Sequence, residues 1–115
     1  PAPDRALADP TNKYTVMALT QKDDSRGADL MRLAREYLLD QQFPVARPIQ
    51  HKGKLLLFVG AAEHVMDLQD LQRRLVSLQG PKGEDQYLRG PYTVSIDTYQ
   101  VPARPSSAGA LGPQR

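Results

Sequence analysis

The chain has 115 residues, enough for one domain with a modest core, and its 15 basic against 13 acidic side chains leave a formal charge of +2. Both signs are interspersed, so the small excess does not describe a polyanion-binding surface. The lack of cysteine excludes disulfides, thiolate metal sites and a cysteine nucleophile, and no run of about 18 apolar residues is present to insert into a membrane.

Residues 1–12 carry Pro1, Pro3 and Pro10 among Ala and Asp and read as a flexible linker. The start at Pro1 rather than Met is expected to mark a processed or excised piece, which leaves room for a signal peptide or membrane anchor upstream. Residues 13–20, KYTVMALT, are β-branched and apolar without helical period and predict a first strand. QKDDSRG supplies a turn and an N-cap, Asp24 or Ser25. From there Ala28, Leu30, Met31, Leu33, Ala34, Tyr37, Leu38 and Gln41 trace one helical face, with Arg32, Arg35, Glu36 and Asp40 on the other.

Phe43-Pro44 ends that helix, because proline disfavours the helical conformation of the residue before it. Residues 45–50, VARPIQ, predict a short strand that Pro48 confines to an edge. HKG is a hairpin turn with Gly53 free to take positive φ, and residues 54–60, KLLLFVG, form the third strand. The leucines at 68, 71, 75 and 78 predict a second helix over 65–78, stopped by Gly80-Pro81. Residues 81–92 read as a polar insertion loop, 93–101 alternate as a fourth strand, and 102–115 read as a flexible tail.

The order β-α-β-β-α-β over residues 13–101 predicts an α+β, ferredoxin-like fold: a four-stranded antiparallel sheet, first and third strands central, both helices on one face. Alternation then turns Leu55, Leu57, Val59, Tyr14, Val16, Ala18, Val94, Ile96 and Thr98 towards the helices. Met17, Leu19, Lys54, Leu56, Phe58 and Tyr99 fall on the opposite face. Burying apolar side chains of this size is worth about 1.5–3 kcal/mol each, so such a face must be covered by residues 81–92 or a tail, pair with a second copy, or bind a partner.

The residues also resemble the sporulation-related repeat (SPOR) domain of bacterial cell-envelope proteins. YTVMALT stands where that family has its first strand, QQFPVARP resembles the entry to its second, and LFVGAAEHVMDLQDLQRRL is similar to its Val-Gly turn followed by a leucine-spaced helix. The likeness runs over residues 13–78. It departs from the family pattern at Met17, Leu19, Gln21, Leu56 and Ala61-Ala62, where the family has Gln, Gly, Phe, Arg and Pro-Phe. The resemblance implies a non-catalytic module in the bacterial envelope or periplasm that binds peptidoglycan glycan strands lacking stem peptides through the open sheet face. The apolar residues there favour another envelope protein or homodimerisation instead.

Other constellations point to bland roles. The third strand has Lys54 and Leu56 where an RNA-recognition module stacks bases on aromatics, which argues against nucleic acid. His51 and His64 lack metal-ligand spacing, and Asp23-Asp24 and Glu84-Asp85 read as solvated loop carboxylates, so neither metal nor cofactor is expected. Gly80, Gly83 and Gly90 fit no phosphate loop, and Arg32, Arg35, Arg73 and Arg74 read as solvated helix faces.

Overall fold

The computed structural model describes residues 2–105. In chain order these form α1 (Pro3–Ala8), β1 (Tyr14–Lys22), α2 (Ser25–Asp40), β2 (Ile49–His51), β3 (Lys54–Ala62), a 3-10 turn (Val65–Leu68) running into α3 (Gln69–Val76), β4 (Tyr92–Ser95) and a last 3-10 turn (Ile96–Thr98). The strands make one antiparallel sheet in the order β2-β3-β1-β4. This is the α+β, ferredoxin-like arrangement, with β1 and β3 central, preceded by an additional short helix.

α2 starts where Asp24 accepts a hydrogen bond from the Gly27 amide at 2.7 Å, which meets one of the donors a helix leaves open at its N-terminus. Gly27 is required at this turn, since a Cβ there would lie 1.8 Å from the Lys22 carbonyl oxygen. At the other end Gln42 takes φ 67°. Its amide donates to Leu39 O at 2.9 Å and the Phe43 amide to Leu38 O at 3.0 Å, the paired bonds of a Schellman cap. Phe43-Pro44 thus ends the helix one residue after a left-handed glutamine. Only Gly27, Met31, Ala34 and Leu38 of α2 are buried; Leu30 and Leu33, expected on the packed face, are exposed.

β3 is the reason the domain has two cores. Leu55, Leu57 and Val59 pack with Val16, Ala18, Met31, Leu38, Leu68 and Leu75 under the helices. Leu56 and Phe58 turn to the opposite side and form a second cluster with Leu7, Met17, Ala46, Ile49, Ile96 and Val101. A strand apolar at five successive positions fits a sheet covered on both faces.

The β1 and β3 ladders slip twice. One extra β3 residue is accommodated beside Gly60, at φ 72°, between the pairs Tyr14↔Ala62 and Val16↔Val59. One extra β1 residue falls between Met17↔Phe58 and Leu19↔Leu57. Simple alternation therefore fails beyond Met17: Ala18 and Leu19 both turn to the helix side, and Thr20 takes the second face opposite Leu56.

Several expectations need correction. Residues 3–8 are not linker but helix, with proline in the first turn, where its missing amide costs nothing, and Leu7 only 2 % exposed. β4 begins at Tyr92 and ends at Ser95, and its register with β1, Thr15↔Val94 and Val16↔Thr93, is one residue out of phase with the expected alternation. Val94 and Ile96 accordingly join the second cluster, whereas Thr93 turns to the helices and donates to Gln72 at 2.8 Å; Thr98 is exposed in the 3-10 turn. The second helix is shorter than expected, its first turn being 3-10. Within residues 102–105 only the Arg104 side chain is buried, anchored to the N-terminal segment, while Pro102, Ala103 and Pro105 are exposed; the rest of the expected tail lies outside the described residues.

Candidate functional site

The second sheet face is closed over one half. Leu7 of α1 and Ile96 and Val101 of the C-terminal segment lie over β3, and Phe58 beneath them is 1 % exposed. Residues 81–91 take no part in this cover, and Tyr92 reaches this face only at Met17. Leu88 drops into the helix-side core and Tyr87 packs edge-on against Tyr37 at 5.1 Å.

The cover is held by Arg104. Its side chain, 4 % exposed, donates from Nη1 to the carbonyls of Leu7 at 2.9 Å and Asp9 at 2.7 Å, and from Nη2 to that of Asn12 at 2.8 Å. Nε and Nη2 also reach Asp97 at 3.2 and 3.0 Å. One planar guanidinium therefore ties the N-terminal segment to the chain beyond β4, a geometry that the single ammonium of lysine cannot supply. The Asp4 carboxylate adds a second tie, accepting from the Arg47 amide at 2.8 Å.

The other half of the same face is open. A cross-strand row of His51, Lys54 and Lys22 runs over β2, β3 and β1 at the hairpin end. Lys54 and Lys22 stand directly opposite each other, exposed, and neither makes an ion pair among the described residues. Like charges so placed destabilise a sheet and attract an anion. Beside them Thr20 Oγ1 and the Tyr92 hydroxyl both approach the Met17 sulfur, at 3.3 and 3.5 Å. Tyr92 is 52 % exposed.

Tyr99, at the edge of the cover, lies 5.1 Å from the Phe58 ring and 4.8 Å edge-on from His51. Desolvation raises its pKa above the ordinary tyrosine value, with a smaller contribution from Tyr92. The strip thus offers two phenol rings, two ammonium groups, an imidazole and a threonine hydroxyl, and none of these six positions carries a carboxylate.

Of the residues expected on an open face, Lys54 and Tyr99 lie on this strip and Met17 forms its buried floor. Leu56 and Phe58 are under the cover and unavailable to a ligand. Leu19 lies on the helix side, carried there by the β1 bulge. Alternation from 93–101 missed Tyr92, and an unbroken alternation in β1 missed Thr20 and Lys22.

The remaining candidates have local roles. Asp24 is the α2 cap, Glu84 accepts from the Lys82 amide, and Asp85 lies 3.3 Å from Gln79 Nε2. His64 lies 3.6 Å from Glu63. Two of the arginines are not simply solvated: Arg35 Nε donates to Ala46 O at 3.2 Å, and the Arg74 guanidinium sits 4.8 Å above the Phe43 ring. No protein-family model matches the chain, and no curated protein or solved structure matches it.

Proposed function

We propose that the chain is a non-catalytic, SPOR-like binding module of the bacterial cell envelope that holds peptidoglycan glycan strands on the uncovered half of its sheet. The observation that carries the reading is the presence of Tyr92 and Tyr99 on one strip with Lys22 and Lys54, cations without an ion pair among the described residues. Sugar rings stack their C–H faces on aromatics while their hydroxyls need polar partners, and the strip has both. A glycan stripped of its stem peptides also carries free lactyl carboxylates, for which Lys22 and Lys54 are the complement. Protein association through Met17, Leu56 and Phe58 is not favoured, because those side chains are already buried within the chain.

Co-sedimentation with stem-peptide-free peptidoglycan tests the reading. The parent protein should be retained. Lys22→Glu combined with Lys54→Glu should weaken retention at least tenfold, about 1.4 kcal/mol, and Arg32→Glu on α2 should leave it unchanged. Failure of the parent to bind, or equal binding by the strip variant, would overturn it.

A further inference from the structure

β1 is longer than the strand that flanks it. β4 pairs with it only over Tyr14, Thr15, Val16 and Met17, whereas β1 continues to Lys22. Pro91, without an amide proton, stands immediately before β4. Beyond it the chain stands off, and a groove of about 480 Å³ runs along residues 17–21, walled by Tyr87, Arg89, Gly90 and Tyr92. On this side residues 18–22 have no strand partner among the described residues. The bulge lies at the start of this stretch, and Leu19, Thr20, Gln21 and Lys22 pair in unbroken register with β3 on their other side. A regular ladder is therefore presented with one edge vacant.

The charges around that edge select its occupant. Arg89 and Lys22 are exposed, neither makes an ion pair among the described residues, and no acidic residue lines the groove. A second copy pairing antiparallel along residues 19–22 would bring its own Lys22 opposite Leu19, beside Arg89. That like-charge approach is the usual way an exposed edge avoids its own kind. It does not disfavour a strand of opposite charge. We propose that the free edge of β1 takes up an extended, acidic polypeptide segment of a partner protein as an added strand, at a site that borders the sheet-face strip and shares Lys22, Thr20 and Tyr92 with it. Backbone hydrogen bonds would supply the affinity, and Arg89 and Lys22 the selection for acidic side chains.

The test uses an alternating Val/Glu octapeptide and isotope-labelled protein. Binding should shift the amides of residues 18–22 and slow their hydrogen exchange. Arg89→Glu, with an unchanged circular dichroism spectrum, should weaken binding at least tenfold. The same peptide with prolines replacing its valines, and a Val/Lys peptide, should not bind. The inference is overturned if the Val/Glu peptide fails to bind, if its shifts map away from β1, if the proline peptide binds equally, or if the free protein instead self-associates through this edge. Loss of glycan binding alone would leave these results untouched.

Discussion

Replacing Arg104 with alanine should loosen the cover while sparing the helix-side core. The guanidinium makes three hydrogen bonds to the carbonyls of Leu7, Asp9 and Asn12, besides its contact with Asp97. Bonds to a charged group are worth about 1.5–3 kcal/mol each, which gives a gross loss of roughly 4–9 kcal/mol. The Asp9 bond and the Asp97 contact are exposed, so water replaces them at little cost, and a cover that lifts lets water reach the other two carbonyls. The net loss should be about 3 kcal/mol, seen as a urea midpoint roughly 1–3 M lower. Hydrogen exchange should locate the loss in residues 3–12 and 97–104, with α2 and β3 protected. Arg104→Lys should recover less than half, because one ammonium cannot reach all three carbonyls. A change under about 0.5 kcal/mol, the range of an ordinary surface substitution, with exchange of residues 3–12 unaltered, would refute Arg104 as the tie.

Phe58→Asp should prevent folding, not merely remove a binding contact, because an aspartate there would be buried among Leu7, Met17 and Val101 without a partner; a native-like thermal transition would contradict this. Gln42→Gly should stabilise by about 1 kcal/mol in chemical denaturation, since the position is left-handed and its cap bonds are backbone only. Above the ordinary tyrosine value of 10.0 the fold should lose stability. Burial raises the pKa of Tyr87, with Glu84 and Tyr37 adding to it, and burial followed by Tyr92 raises that of Tyr99, so the folded chain keeps protons that the unfolded chain releases. The contribution is complete below that value and is lost as pH rises through the folded pKa. Tyr87→Phe with Tyr99→Phe should flatten the alkaline slope of denaturation midpoints, and an unchanged slope would contradict the assignment.

The hydrophobic periods of β3, α2 and α3 made the sheet order and the helix-side core readable, because each is a local pattern whose period survives folding. Leu55, Leu56, Leu57, Phe58 and Val59 even demanded two buried faces. What covers the second face was not readable from period. α1 is a single turn and a half with one buried side chain, Leu7, and Arg104 looks like any basic residue in a Pro-rich stretch until the carbonyls it meets, nearly a hundred residues away in sequence, are brought beside it. Site placement failed for a related reason. One extra residue in β1 and a one-residue phase error in β4 exchange the faces of Leu19, Thr20, Thr93 and Val94, and alternation carries no sign of either.

A sheet half closed by α1 and the segment after β4 leaves one strip open, and the proposed ligand of that strip is a glycan. Titrating isotope-labelled protein with stem-peptide-free peptidoglycan fragments while following amide shifts tests it most directly. Saturable shifts are expected at Thr20, Lys22, His51, Lys54, Tyr92 and Tyr99, with α2 and α3 unmoved. Shifts confined to the helices, or none at saturating fragment, would contradict it.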